Sequence, residues 1–411
     1  MREEWQTKTL GDVCNMIKRG IAPKYVDSGG VCVVNQKCIR SHNVNCGLAR
    51  RHNLEAKKVP EERYVRVGDV LVNSTGTGTL GRVAQVRTDL PEPTTVDTHV
   101  TIVRPLDGLF YADFFGYMMV RIEGEIASSG EGTSGQTELS RTALSEKFSV
   151  SFPTSLQEQK RIVAILDEAF EGIDKAIANT EKNLANAKEL FESHLNAVFS
   201  KKGEGWVTQA LGEIADLVDS LHKTPTYIDE GGYPMVRVTD VKGGTLDLTN
   251  ARRVDEETYH EFSKRHKSSI GDLVLSRVGS YGVPVVVETD EPFCLGQNTV
   301  FILPKINPHL LYYYLISPHA KSQIDGFVAG TTQPTISLKS IKSIAVPYPP
   351  QDDQETIVAN LKSSSLQLET LLKVGRQKSS CLAELKQSIL QKAFNGELTS
   401  HPDKELAKAG A

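Results

Sequence analysis

A glycine-rich segment between residues 76 and 83 has the glycine spacing of a phosphate-binding loop. It reads Gly76-Thr77-Gly78-Thr79-Leu80-Gly81-Arg82-Val83. In such a loop a lysine contacts the phosphates and the next residue, Ser or Thr, binds magnesium. Arg82 and Val83 occupy those two positions here, and the later counterpart, Gly279-Ser280-Tyr281-Gly282, lacks the spacing. The pattern therefore does not predict an ATP site.

Other short motifs also fall short of an active site. Asn307-Pro308-His309-Leu310 lacks the second proline and the aromatic residue of an adenine methyltransferase signature, and Glu55-Ala56-Lys57 is only half of a nuclease motif. The six cysteines include no C-x-x-C pair, and the spacing of Cys32, Cys38 and Cys46 fits no standard zinc site. We predict no catalytic residue, metal or cofactor in this chain.

Repeated basic segments are the stronger signal. Arg50-Arg51 with Lys57-Lys58 recurs as Arg252-Arg253 with Lys264-Arg265-His266-Lys267. Clustered guanidinium and ammonium groups favour contacts to nucleic-acid phosphates. The alternative is a set of solvated loops that balance nearby acidic residues such as Asp255.

Glycine-rich loops also recur, at residues 73–81 and 276–282 and again at 132–136 and 330–333. The last two carry Gln136 and Gln333, and a glutamine can form two hydrogen bonds with an adenine edge. Structural turns are the alternative, because Gly and Ser commonly mark turns. The full set of predicted DNA contacts is Lys37, Arg40, Arg50, Arg51, Lys57, Lys58, Thr77, Gln136, Arg237, Lys242, Arg252, Arg253, Lys264, Arg265, Lys267, Arg277, Ser280, Tyr281 and Gln333.

Short runs rich in β-branched residues, separated by Gly, Asn and Pro, are expected to form the strands that position these loops. Helical patches are predicted at Ala112 to Ile122 and Pro308 to Ile316. The mixture predicts an α+β fold dominated by an antiparallel or mixed sheet. The predicted strands are Val31 to Val34, Val70 to Val72, Val83 to Val86 and His99 to Val103, then Met235 to Val238, Leu273 to Leu275, Pro284 to Val287 and Thr299 to Leu303.

Two long helices organise the chain, one from about Gln157 to Phe199 and one from about Asp352 to Phe394. They match at a constant offset of 195 residues, and each is about 60 Å long at about 1.5 Å per residue. Each has an apolar stripe that a helix cannot bury alone, so we predict an antiparallel two-helix spacer rather than two unrelated amphipathic helices. The predicted spacer positions are Ile162, Leu166, Ile173, Ile177, Leu184, Phe191, Leu195, Ile357, Leu361, Leu368, Leu372, Leu382 and Leu390.

The repeat extends beyond the helices. Trp5 matches Trp206, Leu10-Gly11-Asp12-Val13 matches Leu211-Gly212-Glu213-Ile214, and Gly68-Asp69 matches Gly271-Asp272. We therefore predict a pseudo-two-fold tandem. Its parts are a globular domain at 1–152, a spacer helix at 153–203, a second globular domain at 204–349, a second spacer helix at 350–398 and a flexible tail at 399–411.

Composition suits a soluble protein of the cytoplasm. The chain has 411 residues, 39% of them hydrophobic, and a net charge of −4. No apolar run approaches the length of a membrane span, and the amino terminus shows no secretory pattern, so no membrane contact is expected. A near-neutral chain that binds DNA must do so through local basic surfaces.

These motifs together resemble the specificity subunits of type I restriction-modification systems. The resemblance rests on the repeated Trp and Leu-Gly-Asp/Glu openings, the Gly-Asp strands, the Gly-Thr-x-x-Gln loops and the helix that begins Gln159-x-x-Ile162. It implies two target recognition domains that each read one half of a split DNA site. It also implies that the antiparallel coiled coil sets the gap and binds two methyltransferase subunits, which two restriction-translocase subunits join. S-adenosylmethionine, ATP and magnesium would belong to those partners.

The two globular domains differ at matching positions, since Asn35-Gln36-Lys37 corresponds to Arg237-Val238-Thr239. An asymmetric double-stranded DNA target is therefore expected. Two alternatives stay open from the sequence. One is the recognition subunit of a stand-alone DNA adenine methyltransferase or another DNA-binding regulator, and the other is a coiled-coil scaffold that does not bind DNA.

Overall fold

The computed structural model describes residues 5–130, 138–328 and 334–398. The chain forms two compact units, the first comprising Met1–Asn179 with Lys378–Ala411 and the second Thr180–Gln377. Each unit therefore contains one globular part and portions of both long helices. The predicted contacts Gln136 and Gln333 and the predicted tail at 399–411 lie outside the described residues.

The first globular part is built on two four-stranded sheets. One has the order β2-β11-β8-β9 and is antiparallel, and the other has the order β10-β4-β7-β3 with a parallel β10-β4 pair. The elements are β1 (Trp5–Thr9), α1 (Leu10–Val13), β2 (Cys14–Arg19), β3 (Tyr25–Val26), β4 (Val31–Val34), β5 (Ile39–Arg40), β6 (Asn43–Val44), β7 (Arg50–His52), β8 (Val70–Asn73), β9 (Val83–Gln85), β10 (Thr94–Val96), β11 (Val100–Pro105), α2 (Ala112–Arg121), α3 (Glu123–Ser128), α4 (Arg141–Glu146) and β12 (Ser149–Pro153).

The second globular part repeats this plan, with sheets ordered β14-β22-β19-β20 and β18-β15-β21. An extra helix, α7, follows β18. The elements are β13 (Val207–Ala210), α6 (Leu211–Ile214), β14 (Ala215–Asp219), β15 (Tyr233–Val236), β16 (Val241–Lys242), β17 (Thr245–Leu246), β18 (Arg252–Val254), α7 (Glu256–Phe262), β19 (Leu273–Ser276), β20 (Pro284–Val286), β21 (Cys294–Leu295), β22 (Thr299–Pro304), α8 (Pro308–Ile316), α9 (Pro318–Phe327), α10 (Leu338–Lys342) and β23 (Ala345–Tyr348).

The predicted strands and both predicted helical patches are confirmed to within a few residues. The clearest difference is the strand predicted at Met235 to Val238, which ends at Val236. Val238 lies instead in a 3-10 turn, because Asp240 accepts hydrogen bonds from the backbone and side chain of Arg237. Within the described residues, every helix lacks the combination of length and apolarity that crossing a membrane requires.

The two long helices are α5 (Leu156–Ser200) and α11 (Gln351–Phe394). Both begin one residue before the predicted start, and both end at or within one residue of the predicted end. All thirteen predicted spacer positions are buried or half-buried, so the apolar stripe is a packing surface.

Within the first unit the two helices run antiparallel. Lys386 near the end of α11 forms an ion pair of 2.8 Å with Asp174, and its ammonium nitrogen lies 4.8 Å from the centre of the Phe170 ring. Closer to the start of α5, Ile162 and Leu166 share a core cluster with Phe394. This core also contains α2, since the rings of Phe114 and Phe394 lie 5.0 Å apart.

The helices also run antiparallel within the second unit. Gly375 lies against Leu184, where a Cβ atom would come within 2.5 Å of Leu184 Cδ2. Further along α5, Leu195 and Phe199 share a core cluster with Leu361 near the start of α11. The predicted antiparallel pairing is therefore present in each unit.

A buried glutamine joins the first turn of each long helix to its globular part. In α5 the Gln159 side chain accepts a hydrogen bond of 2.7 Å from the Tyr111 backbone N–H and donates one of 2.9 Å to the Pro153 carbonyl. In α11 the Gln354 side chain accepts one of 2.8 Å from the Asn307 backbone N–H. The repeated glutamine is therefore a structural anchor between α5 and α2 and between α11 and α8.

Replacing Gln159 by Leu is expected to lower the free energy of unfolding by about 2 to 3 kcal/mol, because a buried N–H group and its partner carbonyls lose their hydrogen bonds. Gln354→Leu should lower the free energy of unfolding of the second unit by a similar amount. Chemical denaturation measures the effect. Gln157→Leu, at an exposed position of the same helix turn, is the control and should change stability little. Equal stabilities for all three variants would show that the glutamines do not anchor the helices.

Candidate nucleic-acid interface

In each unit, the segment that leaves one strand and returns as a neighbouring paired strand carries several of the predicted contacts. We call this segment the excursion. In the first unit it leaves β4, forms the β5-β6 hairpin and returns as β7, and it exposes Lys37, Arg40 and Arg50. In the second unit the matching excursion runs from β15 through the β16-β17 hairpin to β18, and it exposes Lys242 and Arg252. The fold thus brings these five cations onto equivalent segments.

Arg50 and Arg252 each lie over a tyrosine ring. The guanidinium carbon of Arg50 is 3.4 Å from the ring centre of Tyr25, and that of Arg252 is 4.7 Å from the ring centre of Tyr227. A cation held over an aromatic face keeps its N–H groups available at the ring edge. The sequence analysis missed both tyrosines, although they recur at the same offset of 202 residues as the two arginines.

The neighbouring arginines have a different role. Arg51 Nε donates a hydrogen bond of 2.5 Å to the Gly29 carbonyl, and Arg253 Nε donates one of 2.5 Å to the Gly231 carbonyl. Arg51 also forms a 2.6 Å ion pair with Glu92, which holds the pKa of that carboxyl below its usual value. These guanidinium groups fasten a glycine turn, and DNA contact by them stays a prediction.

The fastened turns require glycine. Gly29 and Gly30 have φ angles of 71° and 67°, a left-handed conformation that other residues rarely adopt. A Cβ atom on Gly30 would also lie 2.0 Å from the His52 carbonyl oxygen. Each turn and its arginine therefore form one structural unit.

Replacing Arg252 by Ala is expected to weaken DNA binding roughly tenfold, because one charge-assisted hydrogen bond to phosphate is lost. The slope of log K against log salt should fall by about 0.9. Arg253→Ala is the comparison variant. It should lower stability by about 1 to 2 kcal/mol through the lost turn bonds, and a salt slope that also falls would assign a phosphate contact to Arg253 as well. Fluorescence anisotropy over a salt series and chemical denaturation separate these effects. Equal slopes for Arg252→Ala and the wild type would assign Arg252 to the solvated surface.

The remaining lysines and arginines of the basic segments are exposed. Lys57 and Lys58 follow β7 in a loop fixed by His52, whose Nε2 lies 2.7 Å from the Lys57 carbonyl oxygen. Lys264, Arg265 and Lys267 follow α7, and the residue between them, His266, pairs instead with Asp272 at 2.6 Å. The part of these lysines and arginines in one DNA-binding surface remains a prediction.

The glycine loop at 73–82 is closed on itself. The backbone N–H groups of Thr79 and Leu80 donate to the Gly76 carbonyl, and the Gly81 N–H donates to the Asn73 carbonyl. The Arg82 guanidinium donates a hydrogen bond of 2.9 Å to the Gly78 carbonyl. These donors are therefore unavailable to a phosphate. Thr77 is exposed at the tip of the loop.

The excursion packs against this glycine loop in the first unit. Thr79 donates a hydrogen bond of 2.9 Å to the Gln36 side chain, and Asn73 donates one of 3.2 Å to the Gln36 carbonyl. In the second unit a cleft of about 260 Å³ lies beside the excursion, lined by Tyr227, Thr239, Gln297 and Asn298. Arg237 also lines this cleft, with its guanidinium paired to Asp240 at 3.1 Å.

Three predicted contacts of the second glycine loop have internal roles. Arg277 is largely buried, forms a 2.6 Å ion pair with Asp219 and donates to the Ile336 carbonyl at 3.3 Å. Tyr281 packs on the core and donates a hydrogen bond of 3.0 Å to Asp325. The Ser280 carbonyl accepts a hydrogen bond from the Ser276 hydroxyl. Only Ser280 keeps an exposed side chain, and DNA contact by all three stays a prediction.

Within the described part of the chain, no group of three or more His, Cys, Asp or Glu side chains is arranged to hold a metal ion. Burial raises the pKa of the Cys32, Cys38 and Cys46 thiols, which favours their protonated form. The partial methyltransferase motif has a structural explanation, because the Asn307 side chain caps α8 by accepting hydrogen bonds from His309 and Leu310.

A family model described as the type I restriction modification DNA specificity domain matches residues 2–186 and again residues 203–374. The chain belongs to this family. The double match coincides with the duplicated fold, since each matched segment contains one globular part and most of one long helix.

The chain is similar to the type I restriction enzyme EcoBI specificity subunit of Escherichia coli, with 28% identity over 41% of this chain and 36% of that protein. It is 23% identical to the MjaVIII specificity subunit of Methanocaldococcus jannaschii over 62% of this chain and 63% of that protein. The matched segments thus span between about a third and two thirds of these relatives.

A solved chain from work on complex assembly and conformational transition of the type I restriction-modification system has the same fold. Its TM-score is 0.76 with 21% identity, and the match covers 96% of this chain and 98% of the other. The expected fold, with two recognition domains and long paired helices, is therefore confirmed.

Proposed function

We propose that this chain is the DNA-recognition subunit of a type I restriction-modification complex. Each globular part contacts one half of a split target, and the two halves differ in sequence. The observation that carries this proposal is that both units match the same DNA specificity domain but present different side chains at equivalent places. Lys37 corresponds to Thr239, and His99 corresponds to Asn298.

The long helices supply the spacing between the half-sites and the surface for the other subunits. We infer two methyltransferase subunits and two restriction-translocase subunits, in line with the family resemblance. Exposed apolar side chains on the helices of the second unit, Leu190, Leu366, Leu371 and Val374, support a role in assembly. Leu190 and Leu371 line the same groove, and contiguous exposed apolar surface marks a site of protein contact.

We further propose that the chain is not itself an enzyme, and that S-adenosylmethionine, ATP and magnesium bind to its partners. The purified chain supplied with labelled S-adenosylmethionine and DNA is expected to transfer no methyl group. Addition of the cognate methyltransferase subunits should start the transfer at one split sequence. Methyl transfer by the chain alone would overturn this part of the proposal, and the methyltransferase subunits without the chain are the control.

A further inference from the structure

A polar cleft of about 540 Å³ lies in the first unit, apart from the excursion described above. Three of its lining residues are arginines, from β2, from the turn before β8 and from the start of α4, and one is acidic. We call it the arginine cleft, and the residues used here are Arg19, Arg63, Glu138, Ser140, Arg141 and Thr142.

The three guanidinium groups are only partly neutralised. Arg19 forms a 2.6 Å ion pair with Glu138 and donates a 2.7 Å hydrogen bond to the Leu139 carbonyl. The Glu138 side chain is 58% exposed, so water screens this pair strongly. Among the residues that the structure describes, Arg63 Nε is buried without a hydrogen-bond partner, and Arg141 is exposed. Three arginines against one carboxylate leave this lining with an excess of positive charge.

The position of the cleft fits a nucleic-acid ligand. Glu138 pairs with Thr75 in an isolated β-bridge, and the Leu139 N–H donates to the Ser74 carbonyl. The cleft therefore adjoins the glycine loop whose tip exposes Thr77. Guanidinium groups together with hydroxyls, here those of Ser140 and Thr142, are the usual partners of backbone phosphates.

The second unit lacks this charge at the equivalent positions. Asp219 replaces Arg19 in strand register, since Asp219 pairs with Val300 as Arg19 pairs with Thr101. His266 and Leu338 replace Arg63 and Arg141. Asp219 is neutralised by Arg277 at 2.6 Å. At these three positions the second unit thus has no arginine, so the repeated fold itself does not require the arginines.

We propose that the arginine cleft binds a backbone phosphate of the DNA half-site held by the first unit. This inference rests on the proposed function. Each neutralised phosphate releases counterions, so loss of this contact should reduce the salt dependence of DNA binding.

The test compares the full chain with Arg63→Gln and Arg141→Gln on a duplex that carries its methylation target. Each variant is expected to bind roughly tenfold more weakly, with a salt slope lower by about 0.9. The matched control is Lys339→Gln, which removes an exposed cation at the position in the second unit that corresponds to Thr142, and it should leave the first half-site contacts unchanged. Arg141 is exposed, so its variant keeps the test valid if Arg63→Gln unfolds.

Phosphate ethylation interference locates the contact. With the wild-type chain, ethylation should block binding at several phosphates, and the interference at one or two phosphates of the first half-site should disappear with Arg141→Gln. Unchanged slopes and an unchanged interference pattern in both variants would overturn the cleft assignment while leaving the proposed function intact. A wild-type chain that fails to bind its split target would overturn both.

Discussion

Replacing Arg104 by Met is expected to lower the free energy of unfolding of the first unit by about 3 to 5 kcal/mol, because it leaves a buried carboxylate without its partner. Arg104 Nε and Nη2 each lie 2.7 Å from an oxygen of Asp69, whose side chain is 1% exposed. The same Nη2 also bonds the Tyr64 carbonyl at 2.9 Å. The guanidinium thus ties the start of β8 to the preceding turn.

The double variant Asp69→Asn with Arg104→Met is the control for this prediction, since it removes both charges and should recover part of the lost stability. In the second unit an apolar residue naturally occupies the position of this arginine. Leu303 occupies the position of Arg104. Asp272, the counterpart of Asp69, pairs instead with His266 at 2.6 Å. Urea denaturation of the single and double variants gives the coupling energy. A loss below about 1 kcal/mol for Arg104→Met would mean that Asp69 finds enough other partners.

A fragment of residues 1–203 is expected to form a homodimer that binds a palindromic split site. The core of the first unit needs side chains from the end of α11, among them Leu390 and Phe394. The fragment lacks α11 but carries Leu195 and Phe199 at the equivalent positions of α5. A second copy can therefore supply them in a closed two-fold arrangement, in which each copy contacts the same half-site sequence.

Sedimentation of the fragment followed by selection from random duplex DNA tests this prediction. A Phe199→Ala fragment is the matched control, and it should dimerise more weakly because the substituted ring is the one offered to the partner core. A monomer at micromolar concentration, or a selected sequence without inverted symmetry, would contradict the proposed exchange of helix ends.

The sequence patterns predict regular elements well because those elements depend on local periodicity. The apolar stripe of α5 and the β-branched runs at Val31–Val34 and Leu273–Ser276 are of this kind. Local periodicity does not predict the 3-10 turn at Val238, because the geometry of that turn depends on the hydrogen bonds that Arg237 donates to Asp240.

Side-chain roles were harder to predict than elements. Arg50 and Arg51 are adjacent in sequence and look equivalent, but successive residues of a strand point to opposite faces. In β7 one guanidinium therefore lies over Tyr25 and the other binds a glycine turn. The three arginines of the arginine cleft are far apart in sequence, so no local pattern could associate them.

Mapping methylated bases in genomic DNA from cells that carry the intact system tests the central claim most directly. The account predicts methylation within one split motif of two different half-sites separated by a fixed gap. In cells that produce Arg252→Ala, methylation of that motif should fall without a change of sequence. A continuous motif, a palindromic motif from the full chain, or methylation that persists without the chain would contradict the proposed function.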